Sequence, residues 1–541
     1  MQTLFVRKYI NEKFLFYAVL LFNIYLLFTV RYYPSMDGAG HLYNARLIGH
    51  LLKGDSATIS EFFRLNPVAI PNWFCYFILS VFDQFLPAWI AEKILLLFYL
   101  VGITFSFRML IKQLCPGNLS VSIIIFPFAY NFLFHLGFYN YSLSFIFMFL
   151  TLAYWIRHRQ QTAFSKYAVM LLLLTLTYFS AILTFAFTGI CLGMLQMFYS
   201  ARDFSGGTAL SRVLKQLFRE FLIFLITALP GIILSVLFIK ATAFSTEESR
   251  FSSEELVKWL NDVRCLIVFD YKPEEKWTGQ ILHILIAMVS IGLFARFYGT
   301  KADGKNQRLM AGDIFLVPLI LTLILLFSIP NASNAGMMSD RFCLQAYLFF
   351  ILWACTQPLP YWSGVIFNVL IVVVHIQLLL LQHDGAINGL DKDATTIAEA
   401  SRYIEKNSVV LPVNMNENWL QSHFANYLGI DKPLVVLENY EATVGWFPVK
   451  WTNERMPRAK LGMLDSLPDY RWPSNLRSEQ VIQIDYVFIY GNARKVNEPQ
   501  WSVLKGVLDS DYTMIYTAES FFVSIYRKKV QLMNSPLPVR K

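Results

Sequence analysis

NPVAIPNWFCYFILSVFDQF, residues 66–85, decides the fold. The stretch is apolar but short, and Pro67, Pro71 and Asp83 interrupt it. If it crossed a membrane, everything after it would be inverted. A crossing helix needs about 20 mostly apolar residues, with ~17 as a practical minimum. Broken by two prolines and Asp83, the stretch reads as a helix resting in the headgroup layer rather than a crossing.

The surrounding charge agrees. The first apolar run, 14–30, follows Arg7, Lys8 and Lys13. No small-x-small cleavage site comes after it, only Arg31-Tyr32-Tyr33, so it reads as an uncleaved anchor with a cytoplasmic N-terminus. With no crossing at 66–85, the next run, 89–110, ends inside at Arg108 and Lys112. Runs at 121–136, 139–156, 167–178, 181–198, 221–239, 281–297, 314–329, 342–356 and 365–381 then alternate outward and inward. That makes about eleven spans. The basic loops (Arg157-His158-Arg159; Arg202, Arg212, Lys215 and Arg219; Arg296, Lys301, Lys305 and Arg308) all fall on one face. The loop 240–279 falls on the other. It carries Glu247, Glu248, Glu254, Glu255, Asp262, Asp270, Glu274 and Glu275. Residues 41–52 read as an amphipathic helix with Leu42, Ala45, Ile48 and Leu52 on its apolar stripe.

Composition fits this class. Of 541 residues, 56% are hydrophobic and 15% charged, against roughly half and a quarter in soluble domains. The net charge is +9. Because that charge sits in short loops between apolar runs, nucleic acid is not an expected partner. Six cysteines form no CxxC pair, and none follows Cys355, so neither a disulfide framework nor a zinc site is indicated. Beyond about 382 the pattern changes. Strands are expected at 409–411, 434–437, 486–490, 512–516 and 521–526, and helices at 395–406, 419–428 and 501–508. The expected architecture is a polytopic α-helical membrane domain, 1–382, with interfacial helices in its first outer loop. An extracytoplasmic α/β domain, 383–541, follows it.

Few residues stand out chemically. Asp37, in Met36-Asp37-Gly38-Ala39-Gly40-His41, lies just beyond the first span. It is a candidate general base, a candidate ligand for a divalent cation, or simply the cap of a helix starting near Gly38. Arg341, in Ser339-Asp340-Arg341-Phe342, stands at the outer edge of a span, where it would bind a phosphate or snorkel to headgroups. Arg46 and Arg64 are further phosphate candidates. His41, Asp340 and the turn residues His135 and Asn140 are candidate substrate contacts. Glu274 and Glu275 read as part of a solvated loop. No ATP-binding, dinucleotide, zinc-protease or serine-hydrolase motif is present. A lone His inside the last span, His375, is weak support for an ion-coupled transporter.

These features resemble the glycosyltransferase C superfamily, in an uncharacterised bacterial branch. The likeness rests on Asp37 after the first span, the interfacial first loop, Gly137-Phe138-Tyr139-Asn140 and Asp340-Arg341-Phe342. Residues Asn439-Tyr440-Glu441-Ala442 and Trp446-Phe447-Pro448 match that branch in style. The resemblance implies a multi-pass protein of a bacterial inner membrane. It would transfer a hexose or pentose, with inversion, from a polyprenyl-phosphate donor to a glycan, lipid or protein acceptor outside. Asp37 would be the base, Arg341 would hold the donor phosphate, and a divalent metal (Mg or Mn) could assist. Two other classes stay open. A lipid or polysaccharide transporter would not need the base, and a non-catalytic scaffold of an envelope assembly would bind through residues 383–541.

Overall fold

The computed structural model describes residues 2–242, 249–298, 310–331, 336–452 and 484–529. Glu247, Glu248, Lys301, Lys305 and Arg308, and the side chains of Arg7 and Lys8, lie outside the described residues. The chain divides into two compact units. One comprises Met1–Ser35, Pro67–Val81 and Trp89–Asp391; the other comprises Met36–Asn66, Phe82–Ala88 and Lys392–Lys541. The division therefore differs from a simple cut at 382, because most of the first loop joins the C-terminal residues.

The first unit is helical. Among the described residues, 7 helices are long and apolar enough to cross a membrane: Ala88–Leu114, Tyr139–His158, Ile182–Ser205, Leu210–Ala241, Tyr271–Tyr298, Ala311–Ser328 and Tyr361–Tyr403. Helices Gln2–Phe28, Phe164–Ser180 and Met338–Thr356 cover three more of the expected runs. The run at 121–136 departs from expectation. It consists of the 3-10 segment Pro116–Ile124, the short helix Ile125–Ala129 and, after a break at Tyr130, the turn Phe132–His135, capped by Asn131. Residues 121–136 are all buried, and burial in protein is what allows irregular backbone at membrane depth. The eleven expected crossings thus do not appear as eleven uniform helices.

The deciding stretch contains the helix Phe74–Phe82, of 9 residues. Its length of about 14 Å is half the ~30 Å hydrocarbon layer, too short for this helix to span it. Asn140 fastens its start: the side-chain oxygen accepts from the Cys75 N–H at 2.7 Å, and the amide donates to the Asn72 carbonyl at 3.0 Å. The Tyr178 hydroxyl donates to the Ala69 carbonyl at 2.9 Å, and the Trp73 N–H donates to the Phe179 carbonyl at 3.0 Å. Both turns expected on the outer face therefore grip this segment. Glu274 proves buried rather than solvated. Its carboxylate accepts from the N–H groups of Val268, Phe269 and Asp270 and from the Gln382 amide, at 2.7–2.8 Å. His375 is also buried, 3.0 Å from the Asn23 side-chain oxygen.

The second unit holds seven strands among the described residues: β1 (Phe63–Leu65), β2 (Val409–Asn414), β3 (Val435–Val436), β4 (Val449–Trp451), β5 (Tyr486–Tyr490), β6 (Tyr512–Thr517) and β7 (Val523–Lys528). Five form a mixed sheet in the order β3-β2-β5-β7-β6, with β3, β2 and β5 parallel and β7 antiparallel to both of its neighbours. All five lie where apolar alternation and turn residues predict them. Strands β2 and β5 are buried along nearly their whole length, as a parallel core covered on both faces requires. The remaining pair, β1 with β4, joins the first loop to residues 449–451. The expected helix at 419–428 is instead two 3-10 segments, Trp419–Gln421 and Phe424–Gly429.

Helix Gly38–Lys53 belongs to this unit and packs on Phe424–Gly429. It is not an amphipathic surface helix. Leu42, Ala45 and Ile48 are buried as expected, but so are His41 and Asn44, while Leu52 is 71% exposed. The C-terminal residues supply polar partners for its polar side. Gly429 allows the close packing, because a Cβ there would lie 2.4 Å from the Tyr43 ring. The Tyr43 hydroxyl donates to the Leu434 carbonyl at 2.6 Å and accepts from the Val436 N–H at 3.0 Å, tying the helix to β3.

Candidate active site

Asp37 occupies the N-cap position of helix Gly38–Lys53, yet its side chain makes no capping bond. The simplest structural role for this residue is therefore not the one it plays. Its carboxylate is buried, and Oδ1 has no hydrogen-bond partner among the described residues. Around it stand side chains that the sequence places some four hundred positions later.

His423 Nε2 lies 3.8 Å from Asp37 Oδ1. The other ring nitrogen, Nδ1, bonds to Glu438 Oε1, and Asn426 donates to Glu438 Oε2 at 2.6 Å. The Tyr440 ring stacks on the imidazole with centroids 4.1 Å apart, and the Tyr440 side chain hydrogen-bonds to Asp37. A second pairing lies alongside. His41 Nδ1 is 2.8 Å from Glu441 Oε1, and Asn44 donates to Glu441 Oε2 at 2.5 Å. Gly40 permits this approach, since a Cβ there would come within 3.2 Å of Glu441 Oε1.

Burial pushes the Asp37 carboxyl up to about 6, against the pull of His423 and His41. Burial alone would depress His423, but the carboxylates of Glu438, Asp37 and Glu441 hold it above its ordinary value. Burial likewise raises Glu438, although His423 opposes it. A carboxylate that titrates near neutrality, with one oxygen uncommitted, is suited to take a proton from a hydroxyl. The cluster does not fit a divalent cation. Among the described residues, no three His, Cys, Asp or Glu side chains converge to hold one, and His41 and His423 are each committed to a glutamate.

The other expected residues fall as follows. His41 is buried in its pair with Glu441. Arg46 is engaged by Asp83 Oδ1 at 3.0 Å and by the Ile430 carbonyl at 2.9 Å. Arg64 is exposed on β1, directly across from Lys450. The remaining four belong to the first unit. His135 is buried, 3.1 Å from the Tyr33 hydroxyl, with its ring against Phe269. Asn140 spends both ends of its amide on residues 72–75. Asp340 is buried, and its Oδ1 lacks a hydrogen-bond partner among the described residues. Arg341 lies over the Phe138 and Tyr141 rings, at 4.7 and 5.1 Å, and donates to the Gly336 carbonyl at 3.2 Å.

Sequence reasoning missed His423, Glu438, Tyr440 and Glu441. It also missed Lys93, whose buried ammonium has no hydrogen-bond partner among the described residues and sits 5.8 Å from the Tyr33 ring centroid.

No protein-family model matches the chain. No curated protein matches it either. Among solved structures, the crystal structure of ArnT from Cupriavidus metallidurans bound to undecaprenyl phosphate matches with a TM-score of 0.54 at 10% identity. The match covers 97% of this chain and 99% of that one. At that identity the likeness is one of fold alone.

Proposed function

We propose that this chain is a membrane glycosyltransferase that moves a sugar from a polyprenyl-phosphate donor to an acceptor hydroxyl, with Asp37 as the general base. The observation that carries this reading is the buried Asp37 carboxylate at a helix start, uncapped, with one oxygen unpartnered and its pKa raised to about 6. Inversion at a sugar carbon needs a base for the incoming hydroxyl and a stabilised phosphate as leaving group. For the phosphate we offer Arg341, braced by two aromatic faces, and Lys93, a buried cation without a hydrogen-bonded anion. The likeness to a protein solved with undecaprenyl phosphate supports a lipid-phosphate donor. The run of basic loops supports an inner-membrane topology with Asp37 and the C-terminal residues outside. A transporter would bind the same kind of ligand without a base and a scaffold would bind through residues 383–541, and neither calls for a buried carboxylate with an unpartnered oxygen.

The test is donor turnover. The purified full chain in lipid nanodiscs is given undecaprenyl-phosphate-linked pentoses and hexoses with an envelope lipid and glycan extract as acceptor. Released undecaprenyl phosphate is read by mass spectrometry. At least one donor should be consumed only when acceptor is present. No release across the panel would overturn the proposal.

A further inference from the structure

The imidazole of His423 has no role in the reaction as written, yet its placement is highly determined. Glu438 binds Nδ1, Asn426 holds the second oxygen of Glu438, and the Tyr440 ring covers one face of the imidazole. What remains is Nε2, which faces the unpartnered oxygen of Asp37 at 3.8 Å. The groups around this nitrogen come from two segments. Asp37 and His41 lie at the helix start, and Glu438, Tyr440 and Glu441 lie on the segment after β3.

We infer that His423 is a positioning residue of the Asp37 site. Fixed by Glu438, it orients the Asp37 carboxylate and takes over the proton that Asp37 removes from the acceptor. The inference rests on the reading of Asp37 as the base. The proton balance is simple. The acceptor O–H bond breaks as its oxygen attacks the sugar, and the proton goes to the Asp37 carboxylate. The carboxylic O–H then breaks and an N–H forms at Nε2, while the Nδ1–H stays donated to Glu438. The resulting imidazolium lies between two carboxylates. Its Nε2–H bond then breaks and the proton passes to solvent, to which the His423 side chain is 14% exposed. Asp37 is then ionised and His423 neutral for the next acceptor. The gap between Nε2 and Oδ1 must close by about 1 Å for the transfer, a contraction common between resting and reacting sites. Glu438 plays the part that a carboxylate plays behind any histidine whose tautomer matters.

Four variants separate the possibilities: Asp37→Asn, His423→Gln, Glu438→Gln and, for rescue, His423→Ala. Two readouts are used, donor turnover and the infrared carboxylic C=O band of Asp37 titrated against pH. His423→Gln should lower kcat by about 10- to 100-fold, with KM for the lipid-linked donor within about twofold. The relay runs on the neutral imidazole, at pH above the His423 titration. Below it, protonated His423 pulls the Asp37 pKa down, so without His423 the Asp37 titration, read by infrared, should move to higher pH. Glu438→Gln should show the same signs, more weakly. Free imidazole should restore part of the turnover of His423→Ala, which a merely structural role would not allow.

If Asp37→Asn is inactive but His423→Gln keeps the native kcat and pH profile, the relay is wrong and the base stands. If Asp37→Asn is as active as the native chain, the base reading itself fails. Should no donor be turned over, the infrared titration still decides: an unmoved Asp37 band in His423→Gln refutes the coupling.

Discussion

His423 presents Nε2 to Asp37 Oδ1 at 3.8 Å, although one residue opens the first loop and the other belongs to the C-terminal region. The carboxylate that the first-loop sequence marks out is thus furnished with partners by residues 423–441. Burial sets its acidity, against the pull of His423 and His41.

A pH profile follows from that acidity. The Asp37 carboxyl is pushed up to about 6 by burial, and a base acts only when ionised. The kcat/KM for transfer should therefore be level above that pH and fall about tenfold per unit below it. A profile flat down to the ordinary carboxylate range, near pH 4, would contradict a buried base. The measurement is initial rate against pH at low donor concentration.

Arg46 should prove structural. Its guanidinium is bound by Asp83 and the Ile430 carbonyl, and burial pushes Asp83 up to about 6 against the pull of Arg46. Arg46→Met would strand a largely buried carboxylate and should destabilise the unit by about 2 kcal/mol, less than a fully buried pair because the arginine is partly exposed. The loss should be larger well above pH 6, where Asp83 is ionised, and smaller well below it. Thermal unfolding in detergent at the two extremes measures this. An unchanged melting temperature with a raised donor KM would return Arg46 to the phosphate.

Asn140 should act on architecture rather than on substrate. Asn140→Ala removes the bonds to the Cys75 N–H and the Asn72 carbonyl, at about 1 kcal/mol for each. The melting temperature should fall, and Cys75, fully buried in the native chain, should become reactive to a thiol reagent. Peptide-level mass spectrometry reads the labelling. Native stability with slow Cys75 labelling would mean that the 66–85 segment is held by other bonds.

Much of this was legible in the sequence, and the misses have physical causes. The two prolines and Asp83 within 66–85, and the basic end of the next span, argue against a crossing, and the helix there is the nine-residue Phe74–Phe82. The five C-terminal strands could be found because apolar residues alternate with turn residues. The broken 121–136 run could not, because an apolar run buried in protein looks the same whether its backbone is one helix or three pieces. Leu52 was misjudged because periodicity cannot show that the polar side of its helix would be covered by protein. The partners of Asp37 stayed hidden for a related reason. His423 and Glu438 are single polar residues beside apolar ones, Phe424 and the run Leu434–Leu437, and only the fold brings them to the first loop.

Orientation can be tested with single cysteines. Leu52→Cys and Trp419→Cys replace exposed residues of the second unit, and Gln160→Cys lies in the basic turn after Tyr139–His158. From outside intact cells, an impermeant maleimide should label the first two and reach the third only after permeabilisation. The reverse pattern would place Asp37 on the wrong face for an extracytoplasmic acceptor.

The measurement nearest the central claim is single-turnover sugar transfer by Asp37→Asn against the native chain, with the same undecaprenyl-phosphate-linked donor saturating both. The variant should bind the donor with native affinity and transfer the sugar at least about 100-fold more slowly. Equal rates for the two proteins would mean that Asp37 does not take the acceptor proton.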